Sequence, residues 1–571
     1  MSHPGSPHPG YASADSSLVI PRSSSFGVLR RDSWQSLSES PYSFGAGSRL
    51  SATLSENFSL PADPRLWGSD LSPDLIEPDD DLHNPTFDPD KIFQARGKFQ
   101  MGSRGLLNVG CLSILLIALI ILFIGYPIMT YNESWAKPGL GAINSTGQAP
   151  SIGNFGLIDI DTPYDAYVKA SIRDGSQMQL VFSDEFNTDG RTFYPGDDPY
   201  WEAEDLHYWA TNNMEWYDPE AITTAEGSLV ITFSEKQTHG LDYEGGLMST
   251  WNKFCFTGGY IEVSVQLPGT NNVMGMWPAV WTMGNLGRAG YGATLEGMWP
   301  YTYDTCDVGT APNQTLNGQP LTALTDGDHA YGGVLSYLPG QRLSRCTCGG
   351  ESHPGPMHAD GTYVGRSAPE IDVFEAQIGA DPPTGEVSQS AQWAPFNRAY
   401  LWDNSSDNEI LGDPTISSLN TFTGNAEQQA TSVVTNTNQR CYELYISWVA
   451  DGMLSWTLNV AGMAADPTVD ISARPVPQEP MYIIVNLGMS KNFGNIDFDH
   501  LVFPTQMRVD YIRVYQDANA INIGCNPETF PTEDYINQFV WYIEAYTNPN
   551  LTTWREDFGQ PFPKNKFIES C

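Results

Sequence analysis

Three carboxylates fall within six residues, Glu370-Ile371-Asp372-Val373-Phe374-Glu375, interleaved with three apolar side chains. In a regular strand residues i and i+2 share a face. Glu370 and Asp372 therefore point one way, while Ile371 and Val373 point the other. Glu375 falls on the wrong face unless one extra residue, a β-bulge around Val373-Phe374, returns it to the side of Glu370. All three acids would then line one surface and the apolar residues would enter the core. That arrangement suits glycosidic chemistry, in which one carboxylate attacks and another gives and takes a proton. Crowding three carboxylates raises at least one pKa and keeps one acid protonated at neutral pH. Retaining enzymes hold their two carboxyls about 5–5.5 Å apart, so a curved, concave sheet must tilt the two Glu side chains together. The competing reading is an edge strand with a solvated acidic face, so the rest of the chain has to decide.

A second motif, Gly275-Met276-Trp277-Pro278-Ala279-Val280-Trp281, is expected between strands. An exposed indole offers a flat platform to the apolar face of a sugar ring and an N–H to a hydroxyl. Trp281 is expected to be that platform, and Trp277, also a candidate contact, to lean into the core. Gln392 and Trp393, at the end of the stretch that follows the acids, complete the candidate sugar-binding residues.

The elements that must position these residues read as strands. Leu180–Phe186, Gly227–Phe233, Gly259–Leu267, Tyr442–Val449, Leu454–Val460, Met481–Leu487 and Met507–Tyr515 are rich in β-branched and aromatic residues. Gly and Pro punctuate them, and convincing helices are few. The expected fold is all-β, a two-sheet sandwich or jelly roll.

Composition limits the partners. Asp plus Glu outnumber Lys plus Arg by 67 to 28, a formal charge of −39, which excludes nucleic acid as a partner. The run from Leu106 to Met129 carries no charge. At about 1.5 Å per residue a helix of that length crosses a bilayer core of roughly 30 Å. Lys91, Arg96, Lys98 and Arg104 precede it and only Lys137 follows closely, so the N-terminus is expected in the cytosol. The layout is that of a type II signal anchor in a secretory-pathway membrane: endoplasmic reticulum, Golgi or plasma membrane. Residues 1–105 read as a disordered cytosolic tail, a possible site for trafficking partners, and 130–178 as a luminal stem broken by Pro138, Gly139, Gly141 and Gly147. Seven cysteines follow the span, an odd number that three intramolecular disulfides would leave with one over. Cys346-Thr-Cys348 lacks a second pair at zinc-finger spacing, so no metal or cofactor is expected. Glycosylation acceptors stand at Asn144, Asn313, Asn404 and Asn550.

Val181–Phe186, the Trp277–Trp281 run, Glu370–Glu375 and Val509–Tyr515 resemble, in this order, the motifs of glycoside hydrolase family 16, which includes laminarinases. Gly284–Gly292 and Met298–Asp304 are similar to a subgroup, the fungal β-1,6-glucan synthesis-associated proteins, which also have a type II anchor. The resemblance covers residues 179–516, with an insertion at about 284–368, and fades over the C-terminal extension 517–571. It implies a concanavalin-like β-jelly roll. It implies Glu370 as nucleophile, Asp372 as assisting carboxylate and Glu375 as general acid/base of a retaining reaction on β-glucan, by hydrolysis or transglycosylation, in β-1,6-glucan biosynthesis and cell wall assembly. Laminarinase-like members commonly carry a His on the next strand, where this chain has Ser388-Gln389-Ser390-Ala391-Gln392-Trp393. The alternative is a non-catalytic glucan-binding or scaffold protein using the same cleft.

Overall fold

The computed structural model describes residues 156–571 apart from 173, 292–293, 295–296, 299–302, 323–339, 380–381, 394–401, 425–428, 437–446, 451–452, 539 and 549–557; upstream it describes only Leu112 and Ser113. The expected tail, nearly all of the expected span, Asn144, Cys441 and Asn550 lie outside the described residues. Among the described residues no helix is long and apolar enough to cross a membrane.

Two antiparallel sheets face each other. In the first, the long strand Thr505–Asp517 pairs on one side with Tyr260–Gln266 and on the other with Ser228–Phe233 and then Gln177–Asp184. The second carries the acids. Its order is Ser417–Leu419, Gln429–Asn436, Thr384–Trp393, Glu370–Gly379, Trp277–Gly284, Met481–Gly488, Tyr243–Ser249 and Glu202–Ala203, with Glu215–Tyr217 added parallel to Tyr243–Ser249. The inner faces meet in an apolar layer that includes Phe182, Ile231, Val263, Val280, Val373, Phe374, Ile483, Val485, Val509 and Ile512. The result is an all-β, jelly-roll-like sandwich.

Met481–Gly488 is buried along its whole length. A strand buried on one face alternates in polarity, whereas Met-Tyr-Ile-Ile-Val-Asn-Leu is almost continuously apolar, as in a strand covered on both sides. Its second cover is another apolar cluster on the outer face, containing Trp281, Met283, Tyr482 and Ile484. The insertion contributes Leu286, Tyr291, Met298 and Leu343 to it, and the C-terminal extension contributes Tyr535, Ile536 and Tyr546. Disulfides Cys255–Cys525, Cys306–Cys346 and Cys348–Cys571 tie these additions to the sandwich and to each other. Cys346 and Cys348 are thus oxidised to different partners.

Two expectations need correction. The Trp-Pro-Ala-Val-Trp run does not fall between strands but is a central strand, Trp277–Gly284. Proline usually argues against a central strand because it lacks an N–H. Here the ladder with the acid strand ends at the Glu375–Ala279 pair, so Pro278 lies just past it. The stretch expected as stem also ends early. Val168–Ala170 already pairs with Gln177–Asp184, since the stem's breakers all lie upstream, before residue 156.

Candidate active site

The acid strand Glu370–Gly379 departs from regular alternation where the sequence requires it. Toward Thr384–Trp393, Asp372 faces Ser390 and Glu375 faces Ser388, so three steps on one strand match two on the other. Toward Trp277–Gly284, Asp372 faces Trp281 and Phe374 already faces Val280. The extra residue lets both Val373 and Phe374 enter the inter-sheet core. Glu370, Asp372 and Glu375 are left together on the opposite face.

Each acid sits in a different setting. Asp372 is 2% exposed. It accepts hydrogen bonds from Ser390 Oγ and, at 3.1 Å, from Gln392 Nε2, and it is also hydrogen-bonded to Glu370. Burial pushes its carboxyl up to about 6 against the pull of those bonds. Glu375 accepts a 3.0 Å bond from Trp277 Nε1. Burial first, and then the neighbouring Asp372 charge, push Glu375 up to about 8. Glu375 is therefore shifted the further toward its protonated form, beside a less shifted Asp372, with Glu370 two residues before Asp372. Such a set can donate a proton from one carboxyl while presenting another as a base or nucleophile.

The two tryptophans exchange the burial expected of them. Four apart on a strand, Trp277 and Trp281 share a face, so neither enters the inter-sheet core. Trp277 is half-buried and stacks on Phe493 at 4.2 Å and 8° while its N–H holds Glu375. Trp281 is only 8% exposed, packed in the outer cluster, with its Nε1 donating to Asn486 Oδ1 at 2.8 Å. The more exposed of the two tryptophans beside the acids is thus Trp277. Trp393 also fails as a surface contact. It alternates with Gln392 onto the core face, where it is buried and donates to Thr431 Oγ1. Gln392 faces the acids and is buried; its Nε2 donates to Asp372, while its Oε1 has no partner among the described residues. Of the described glycosylation acceptors, Asn404 is exposed and Asn313 half-buried.

Several residues at the site escaped sequence reading. Tyr208 lies in range of all three acids, since burial and then the charges of Glu370, Asp372 and Glu375 raise its hydroxyl pKa. Phe493 and Asn486 follow the Met481–Gly488 strand or sit in it. None belongs to a pattern with periodic or chemical meaning, so no signal marked them. A cavity of about 560 Å³ lies elsewhere, lined by Val273, Met276, Ile378 and Leu501 but by none of the three acids.

A two-sheet sandwich with three carboxylates on one face of a central strand defines an all-β, jelly-roll-like protein with a candidate acid site. Residues 70–571 match the family described as beta-glucan synthesis-associated protein SKN1/KRE6/Sbg1, and the chain belongs to that family. It is 41% identical over 537 residues to the beta-glucan synthesis-associated protein SKN1 of Candida albicans, covering 87% of this chain and 67% of that protein. It is 39% identical over 578 residues to the beta-glucan synthesis-associated protein KRE6 of Saccharomyces cerevisiae, covering 92% of this chain and 74% of that one. Among solved structures it is similar to the catalytic domain of an endo-1,3-beta-glucanase (laminarinase) from Thermotoga petrophila. That match has 19% identity and a TM-score of 0.31, over 60% of this chain and 99% of the other.

Proposed function

We propose that this protein is a retaining glycosidase or transglycosylase acting on β-glucan, in the assembly of β-1,6-glucan for the fungal cell wall. The observation that carries the reading is the bulged acid strand, which gathers three carboxylates on one face and buries Glu375 beside Asp372, raising its pKa. Glu375 gives its proton to the leaving glycosidic oxygen while Glu370 attacks the anomeric carbon. The C–O bond to the leaving sugar breaks as the glycosyl–Glu370 bond forms. Glu375, now a carboxylate, takes a proton from the incoming acceptor, whose oxygen displaces Glu370. Water as acceptor gives hydrolysis, and a glucan hydroxyl gives transfer. Asp372 assists between them, and Trp277 offers a sugar its open face. The direction of the roles, Glu370 attacking and Glu375 protonating, follows the family-16 resemblance.

In this reading the Leu106–Met129 run anchors the chain in a secretory-pathway membrane with the sandwich on the luminal side. The disulfides and the exposed acceptor Asn404 support that compartment. Residues 1–105 would meet trafficking partners in the cytosol.

The test is Glu370→Gln in the full chain, assayed on β-1,3- and β-1,6-linked oligosaccharides beside its melting temperature. Turnover is expected to fall at least about a thousandfold with little change in melting, as for loss of a covalent nucleophile. Undiminished turnover in the folded variant, or a wild type that binds glucan without altering it, would support the scaffold alternative instead.

A further inference from the structure

Glu215 is fully enclosed, and the reaction proposed above makes no use of it. Among the described residues no cation pairs with it, and burial pushes its carboxyl up to about 7. Burying a carboxyl without a cationic partner costs stability, and what Glu215 has in return is a set of hydrogen bonds that fix its neighbours. Its two oxygens are committed in different directions. Oε1 accepts from Asn213 Nδ2 at 2.6 Å, and Oε2 accepts from the backbone N–H of Met489 at 3.0 Å.

Both directions lead to the acid strand. Met489 opens the turn after the Met481–Gly488 strand. The next residue, Ser490, donates its Oγ to Thr211 O at 2.6 Å and accepts the Asn492 N–H at 3.0 Å. The Phe493 N–H closes the turn on Ser490 O at 3.2 Å. Phe493 then lies flat against Trp277, whose N–H holds Glu375. On the other side Asn213 Nδ2 also reaches Tyr217 OH at 3.0 Å. Asn486 donates to the same hydroxyl at 3.3 Å and accepts from Trp281, the cross-strand neighbour of Asp372. Gly488 makes room for this junction: a Cβ there would sit 2.7 Å from both Glu215 Oε1 and Tyr217 OH.

We infer that Glu215 is a positioning residue for the acid site, holding Phe493 under Trp277 through Met489, and Trp281 beside Asp372 through Asn213, Tyr217 and Asn486. The inference rests on the proposed reaction only for its functional consequence; the placement of Glu375 can be measured without turnover. Glutamine at 215 keeps the shape but has one acceptor, so either Asn213 or Met489 would face another donor. Loosening Phe493 frees Trp277, and Glu375 loses the bond that favours its ionised form.

The experiment compares the full-length wild type with Glu215→Gln, Phe493→Leu and a control, Glu262→Gln, which breaks the Lys169 pair in the other sheet. A water-soluble carbodiimide labels protonated carboxyls, and peptide mass spectrometry reads Glu375 labelling against pH. Both site variants should raise the labelling midpoint by about half a unit or more, the scale of losing one hydrogen bond to a carboxylate. Their basic limb of turnover should move the same way, while the control changes melting alone. Lower melting with an unmoved Glu375 midpoint would make Glu215 merely structural and overturn the inference. If Glu215→Gln fails to fold, Glu215→Asp, whose shorter side chain cannot hold both Asn213 and Met489, takes its place and is read by the same midpoint. A wild type without turnover would count against the proposed reaction, and the labelling would still settle the positioning.

Discussion

Glu375 holds its proton more tightly in the folded chain than a solvated glutamate would, and this has a consequence for stability as well as chemistry. Its folded pKa is raised to about 8, by burial and then by Asp372. The native state therefore binds more protons than the unfolded one between the ordinary glutamate range and about pH 8, and stability falls as pH rises through that window. Asp372, also raised, acts in the same direction below it. Glu375→Gln removes the titration and keeps the shape. Its melting temperature relative to wild type should climb steadily from about pH 5 to about pH 9, while turnover is lost. A difference that stays flat across that range would mean that Glu375 is ionised at neutral pH and is not the acid.

The acid strand does its work through one irregularity. With strict alternation, Glu375 would share the face of Val373 and meet the apolar layer. The bulge moves Phe374 inward beside Val373 and turns Glu375 out to the other acids. Deleting Val373 should leave a regular ladder, with Phe374 inward, Glu375 still beside Asp372 and the cross-strand pairs of both kept. The cost is then the lost burial of one valine, about 1.5–3 kcal/mol. Val373→Ala keeps the bulge and loses only two methyls, about 1–3 kcal/mol. Urea unfolding should therefore show the two variants destabilised to a similar extent. A deletion far less stable than Val373→Ala would mean that alternation alone does not set the facing of Glu375. The same parity argument accounts for the tryptophans. A run expected between strands proved to be a strand, and once it is one, residues four apart cannot divide between core and cleft.

At the scale of the whole molecule, the insertion and the C-terminal extension add a layer to the outer face of the acid-bearing sheet, and disulfides fasten it. Arg288 of the insertion shows how closely the parts are joined. It donates to Glu204 on the sandwich at 2.9 Å and to Tyr546 O in the extension at 3.1 Å, and it lies over the Trp251 ring. The proposed anchor carries its own prediction. Protease added to sealed microsomes should remove residues 1–105 and leave the remainder protected, and Asn404 should carry a glycan. Digestion of the sandwich without detergent would overturn the proposed topology.

Several of the strands, the all-β class and the bulge were readable in the sequence because they depend on local alternation, and a carboxylate that breaks the period announces itself. The acids could be named for the same reason: Glu370, Asp372 and Glu375 lie within one strand, so their shared face is a short-range property. What neighbours a strand acquires is not local. Phe493 reaches Trp277, and Glu215 reaches Met489, across long stretches of chain, and nothing periodic links them. Trp393 and Gln392 differ by one step in sequence and by the thickness of the sheet in space, so their roles waited on the register with Glu370–Gly379. The pairing of six cysteines was likewise left open by the sequence, because only the folded chain brings Cys571 to Cys348. How far each carboxyl is pushed toward its protonated form also depends on tertiary structure, because desolvation depends on everything packed around a group and not on the residues beside it in the chain.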